Sequence, residues 1–334
     1  MSTTDESTRT EPQRRPLRAG LNLAPAFGIG VVLLAALITT PGFYSGTTLA
    51  LVLFQVGFIG IAAIGQTLVL ISGGIDLSVG AVIGLTSVIV ATQTEGANDR
   101  LPWALLLALL AGVAVGAANG ALVLVRRVPP FVATFATFVL VQGVIMWWTG
   151  GAPSGSIPGA LGPLGTGRLL GLPVPVWLFA VLVVAGAIVL ARTTFGRRLY
   201  ASGANPRATA MSGVRTGLVV GSAYVACAVL AVVAGLVYAG YIGYVDAELA
   251  RTLNLDSIAA AVVGGVALTG GRGHMGQTLA GVVLLSLLVV WMVQLGTGPG
   301  GRFAVVGAAI LLAALAQQHT FSLRSLSGKG GRTR

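Results

Sequence analysis

The chain has 334 residues, 55% of them hydrophobic and only 9% charged, which is too little charge to cover the surface of a soluble protein of this size. The net charge of +11 would point to nucleic acid in a soluble chain, but apolar runs of roughly 17–25 residues recur from end to end, and Arg and Lys crowd the cytoplasmic flanks of such spans. The alternation of a membrane barrel is absent, and a single cysteine, Cys227, excludes a disulfide framework and a cysteine metal cluster.

Residues 1–20 are polar, end in the basic run Arg14 to Arg18, and read as a disordered cytoplasmic tail. No small-residue cleavage site follows the first apolar run, so a secretory signal is not expected. Ten spans are predicted near 22–40, 47–71, 77–93, 101–125, 129–149, 174–191, 217–240, 255–271, 276–295 and 302–318. The expected fold is all-α: a polytopic membrane helical bundle over residues 21–320, both termini cytoplasmic, with a basic tail at 321–334. Sixteen basic residues then fall inside and only Arg100, Arg168, Arg251 and Arg302 outside, as the positive-inside bias demands. The third and eighth spans are short enough to be re-entrant.

The second and third runs are interrupted by Gly73, Gly74, Ile75, Asp76, Leu77 and Ser78. Asp76 is the only acid between Glu11 and Glu95, and a carboxylate near hydrocarbon needs an interface, a cavity or a partner. The glycine pair permits a tight turn or close backbone packing. A sharp interfacial turn and a broken helix bordering a pathway are equally open readings. The fifth span opens on Pro129 and Pro130, with Phe131 next. Thr134 and Thr137, three apart, share a face that lines a pathway or bonds back to the helix.

Two loops are long. The outer one, 150–173, is rich in Gly and Pro, so no regular helix is expected; it is read as folding over the outer face, with a flexible linker as the alternative. The inner one, 192–216, carries five arginines. Asn205 is placed to cap a short helix, with Pro206 in its first turn, Arg207 to Met211 continuing it and Gly213 ending it. A basic helix there suits a soluble partner or anionic membrane lipid.

In the second half, 255–285 partly echoes the opening stretch, a glycine-rich inner turn between apolar runs, as in transporters built from duplicated halves. Asp256 is expected to cap the eighth span, and His274 to be a solvated loop residue. The only lysine, Lys329, precedes Gly330, so no nucleotide-binding P-loop exists in the chain. No relay of intramembrane acids, catalytic constellation or metal site is apparent, so no catalytic residue, cofactor or metal is expected.

The stretch GQTLVLISGGIDLSVGAVIGL resembles the signature of the permease subunits of monosaccharide ABC importers of the ribose, xylose, arabinose and galactose type. Three further motifs follow in order. Pro129, Pro130, Phe131, Val132 and Thr134 match the family's Pro-Pro-Phe motif, although Val141 to Gly143 lack its usual arginine. Phe195, Gly196, Arg197, Tyr200, Ala201, Gly203, Asn205, Ala208, Ser212 and Gly213 match its cytoplasmic loop, with Ala204 and Pro206 as departures. Leu255 to Gly273 follow its second-half motif.

The resemblance implies a non-enzymatic multi-pass subunit of the bacterial cytoplasmic (inner) membrane, importing a monosaccharide or polyol by alternating access. It implies an ABC ATPase inside, an extracytoplasmic sugar-binding protein outside, and a second permease copy in a homodimer or heterodimer, but no nucleic acid. Gly73, Gly74, Asp76, Ser78, Phe131 and Thr134 are then expected to shape the path. Phe195, Gly196, Arg197, Arg198, Tyr200, Gly203, Asn205, Pro206, Arg207, Ser212 and Gly213 would couple to the ATPase. A permease for branched-chain amino acids or nucleosides, and a stand-alone secondary carrier, are the alternatives.

Overall fold

A computed structural model describes residues 24–152, 154–245 and 253–327, with the side chains of 318–327 left aside. The two tails expected at the ends, and Arg251, fall outside the described residues or their described side chains. Thirteen α-helices are present among the described residues. They are α1 (Ala24–Thr39), α2 (Gly46–Ile71), α3 (Val79–Thr94), α4 (Leu101–Leu124), α5 (Pro130–Thr149), α6 (Gly162–Thr166) and α7 (Val174–Arg192). After them come α8 (Thr194–Ala204), α9 (Pro206–Met211), α10 (Thr216–Ile242), α11 (Leu253–Gly264), α12 (Met275–Gln294) and α13 (Pro299–Ser327).

Ten of these are apolar and lie at the ten predicted positions. Seven (α2, α4, α5, α7, α10, α12, α13) are long and apolar enough to cross a membrane, while α1, α3 and α11 are shorter. The third and eighth spans are thus the short α3 and α11. α3 is short because the chain leaves α2 at Ile71 and does not become helical again until Val79.

The interior is built from α2, α3, α10, α11 and α12, and α1, α4, α5, α7 and α13 surround it with exposed apolar faces. In water such faces would be costly; against lipid they are the expected exterior. All five tryptophans (Trp103, Trp147, Trp148, Trp177, Trp291) sit at the outer ends of α4, α5, α7 and α12, where amphipathic rings favour the membrane–water boundary. The Trp177 indole donates to the Leu169 carbonyl (2.9 Å) and that of Trp291 to Thr39 Oγ1 (3.1 Å).

Within the outer segment 150–173, Leu161 and Gly165 pack against the end of α10, while the hairpin at 168–172 is exposed. The segment contains a single turn of 3-10 helix (Gly159–Leu161), α6, and a two-residue hairpin of β1 (Arg168–Leu169) with β2 (Leu172–Pro173). The short α6 departs from the expectation of no helix. Pro163 in its first turn fits the geometry, and Gly165 lies so close to the end of α10 that a Cβ would meet the Tyr241 nitrogen at 2.1 Å.

Asp256 is also placed differently from the expected N-cap. α11 is already helical from Leu253, and the buried Asp256 carboxylate in its first turn is ion-paired with Arg302 at the outer start of α13. Removing one member strands the other inside the bundle.

Small residues set the close crossing of α4 and α10. On α4, Gly112, Gly116 and Gly120 are spaced by four and lie against α10. A Cβ on Gly116 would come within 2.8 Å of the Tyr224 carbonyl oxygen and the Val225 Cα, so the two backbones touch. Gly116→Val is expected to lower the apparent melting temperature of the purified chain, at an overpacking cost of about 1–3 kcal/mol. Gly143→Ala, with open space around its Cβ, should leave it unchanged.

Candidate functional site

Past α2 the chain turns at Gly73, with φ at +86°, and Gly74 packs under Tyr224 of α10, where a Cβ would lie 2.3 Å from the hydroxyl. Residues 75–78 then run non-helically back into the bundle beside the helix they have just left. Asp76 is fully buried at the level of Gln66, five residues before the end of α2, or about 8 Å inside that end at 1.5 Å per residue. The interfacial-turn expectation does not hold, because Asp76 lies well inside the bundle; the chain turns at Gly73 and Gly74 and forms a break between α2 and α3.

Non-helical backbone at this depth leaves N–H and C=O groups without partners, at several kcal/mol each. Side chains of α2 and α5 supply partners to this backbone, and side chains of α4 and α11 hold its side chains and the start of α3. Gln66 of α2, with its amide oriented to pair both atoms, donates to the Asp76 carbonyl (3.1 Å) and accepts from the Asp76 N–H (3.2 Å). Thr134 of α5 donates toward the Ile75 carbonyl (3.1 Å) and the Pro130 carbonyl (2.9 Å). Asn119 of α4 donates to Ser78 Oγ (2.8 Å) and approaches Asp76 Oδ1 (3.4 Å). Asn254 of α11 accepts from the Gly80 N–H, serving a first-turn donor of α3 that the Ser78 side chain does not cap.

The Asp76 carboxylate belongs to the same device. Its Oδ1 accepts from the Ser78 N–H (2.8 Å) and Ser78 Oγ (2.6 Å), and the Cys227 thiol of α10 lies against it. Neither ion pair found among the described residues involves it. Asp76 sits just before the start of α3, where a helix favours negative charge.

Of the predicted path residues, Gly73, Gly74, Asp76, Ser78 and Thr134 are therefore brought together. In the single chain Asp76, Ser78 and Thr134 are buried and hold the break. Phe131 points away: it is 57% exposed and stacks on Phe135 (6.1 Å), which stacks on Phe138 (6.1 Å) along the outer face of α5. The sequence reading missed Gln66, Asn119 and Asn254. The available signal was an amide inside an apolar run, which must find a partner.

The second cluster is the 192–216 segment, expected on the cytoplasmic side. Thr193 caps α8 by accepting from the Gly196 N–H (3.2 Å), and Asn205 caps α9 from Ala208 (3.1 Å), with Pro206 in the first turn and Gly213 at φ +80° beyond its end, as predicted. The Ser212 hydroxyl bonds back to Ala208 (3.0 Å). Gly196, Leu199 and Ser202 face inward, Phe195 is half-buried, and Arg197, Arg198 and Arg207 are exposed.

α8 touches both glycine turns at backbone distance. A Cβ on Gly203 would fall 1.9 Å from the Ile71 carbonyl oxygen and 2.7 Å from the Gly271 nitrogen, and one on Gly270 would fall 2.7 Å from Gly73 Cα. The Gly271 N–H donates to the Ile71 carbonyl (2.8 Å). The Tyr200 hydroxyl donates to the Gly273 carbonyl (2.5 Å), and burial pushes its phenol above its ordinary value, so it stays a donor at neutral pH. His274 is the N-cap of α12 in a capping box with Gln277, not a free loop residue.

A family model for the branched-chain amino acid transport system / permease component matches residues 48–315. The chain is 36% identical over 293 residues to the ribose import permease protein RbsC of Escherichia coli K12, covering 86% of this chain and 91% of that protein. It is 33% identical over 295 residues to RbsC of Bacillus subtilis, covering 88% and 91%. It is 35% identical over 259 residues to the autoinducer 2 import system permease protein LsrC of Photorhabdus luminescens, covering 75% and 78%. No solved structure matches the chain.

Asn119→Leu leaves the Ser78 hydroxyl and the Asp76 carboxylate short of a donor, a loss of about 1–3 kcal/mol that should appear as a lower melting temperature. Thr134→Val keeps the shape and removes one bond, so its effect should be smaller. Equal and negligible effects would show that the break is not held by these side chains.

Proposed function

The chain belongs to the family of branched-chain amino acid transport system permease components, and from that premise we propose that it is the transmembrane subunit of an ATP-driven importer that carries a monosaccharide or related polyol across the bacterial cytoplasmic membrane. The solute class rests on the import permeases of ribose and autoinducer 2 among its relatives and on the unbroken GGIDLSVG stretch. ATP hydrolysis belongs to a separate subunit, because the chain's one lysine cannot form a P-loop. A substrate-binding protein delivers the solute outside.

One observation carries the mechanism: α8 meets both glycine turns through backbone, with no side chain between to absorb motion. In the proposed cycle the ATPase docks on Arg197, Arg198, Arg207 and the surrounding residues from Phe195 to Gly213. Its closure displaces α8, which shifts the α2–α3 break and the α11–α12 turn together. A second permease copy, identical or not, completes the path, and Gly73 to Ser78 with Phe131 and Thr134 shape this chain's side of it. Tight packing favours discrete rearrangement over gradual bending.

Reconstitution with its co-purifying ATPase and binding protein should give uptake that requires ATP. Asp76→Ala and Thr134→Val should each reduce that uptake by about tenfold or more, roughly 1.4 kcal/mol on the barrier, with the protein still inserted. Uptake by the chain alone without ATP would replace the importer with a secondary carrier. Untouched uptake in both variants would remove the break from the path.

A further inference from the structure

Toward the inner membrane face α4 and α10 part. Gly120 is the last tight contact, with its added Cβ 3.2 Å from Gly221 Cα, and around and beyond it the small side chains of Ala117, Ala121, Gly217 and Gly221 leave an apolar groove of about 640 Å³ open to the side of the bundle. From Ala117 to Val125 it runs about 12 Å along α4 at 1.5 Å per residue. That is close to the hydrocarbon depth of one leaflet, about 15 Å.

The inner mouth is cationic. Arg215, at the start of α10, lines both this groove and an adjoining depression of about 350 Å³ that Arg198 also lines. Arg126 and Arg127 follow the end of α4. These four are exposed and lack an acidic partner among the described residues. The described acids are Asp76, buried in the break, and Glu95, Asp99 and Asp256, all on the outer side.

We propose that this groove binds one anionic phospholipid of the inner leaflet, an acyl chain lying between α4 and α10 and the phosphate at Arg215. An apolar slot of leaflet depth ending in unpaired guanidinium groups matches both halves of such a molecule, and basic pockets between spans on the cytoplasmic side suit acidic headgroups. A second copy meeting its own kind here would bring uncompensated arginines together, which argues against it as the occupant. The site lies where α10 leaves the cytoplasmic loop, and the same helix carries Tyr224 and Cys227 to the break. A bound lipid therefore steadies α10 beside α8. The inference needs only a membrane-spanning chain, not the importer reading.

The test is lipid retention, which is separate from transport. The full-length chain is equilibrated in vesicles of equal phosphatidylglycerol and phosphatidylcholine, extracted in detergent and washed, and the lipid retained per chain is measured by mass spectrometry. The intact chain should retain phosphatidylglycerol over phosphatidylcholine roughly fivefold or more, the effect of about one guanidinium at a membrane surface. Gly217→Phe, whose ring enters open space, and Arg215→Gln should each bring the ratio toward that of the vesicles, while Arg207→Gln keeps it. Monodisperse elution confirms folding, and Arg215→Gln decides the matter if Gly217→Phe fails to fold. No enrichment in the intact chain would overturn the proposal. So would full enrichment in a folded Gly217→Phe or Arg215→Gln variant, or an oxidised Gly217→Cys chain linked to a second copy.

Discussion

Backbone that leaves the helix inside a membrane must find hydrogen-bond partners within the protein, and the path of residues 72–78 depends on that requirement. A helix satisfies its own N–H and C=O groups; an extended segment beside it cannot. Here side chains of α2 and α5 pair the backbone of Asp76 and Ile75, Asn119 of α4 binds the Ser78 and Asp76 side chains, and Asn254 of α11 takes the Gly80 N–H where α3 begins. Each bond is modest in isolation, but each also cancels a larger penalty for a stranded polar group. The break thus ties four helices to one place, and its Asp76 carboxylate serves as an internal acceptor for Ser78 and Asn119.

The same segment explains the junction at α8. Because the chain reverses at Gly73 and Gly74, the end of α2 presents its Ile71 carbonyl to Gly271, and the α11–α12 turn lies against the α2–α3 turn. Gly203 of α8 fits between them only because it lacks a side chain. A displacement of α8 therefore acts on both turns, and through the break on α4 and α5. The groove between α4 and α10 stands next to this junction, so the helix that a lipid would steady is one that reaches the break.

Much of this architecture was legible in the sequence. Hydropathy and the sorting of arginine placed ten spans, and the cap at Asn205 with Pro206 and Gly213 fixed α9, because these signals are local. Asp76 and the glycine pair stood out as chemically incongruous, which marked the segment but not its path. Gln66, Asn119 and Asn254 were not legible. An amide in an apolar run announces that it needs a partner, but which one depends on packing between elements 41 and 174 residues apart, as for Asn119 with Ser78 and Asn254 with Gly80. Asp256 shows the converse: a local capping rule explained it adequately, and the partner that binds it, Arg302, lies two helices later. α8 was missed because its pattern is amphipathic at a water-facing surface, where hydropathy is silent.

The most direct measurement is paired ATP hydrolysis and solute uptake by the reconstituted importer carrying Gly203→Val. A valine cannot sit 1.9 Å from the Ile71 carbonyl oxygen, so α8 must separate from the turns while its arginines remain available to the ATPase. Uptake should fall by about tenfold or more while hydrolysis continues, the signature of a broken mechanical link. Uptake and hydrolysis that both stay at the level of the unaltered protein would contradict a transmission route through this junction.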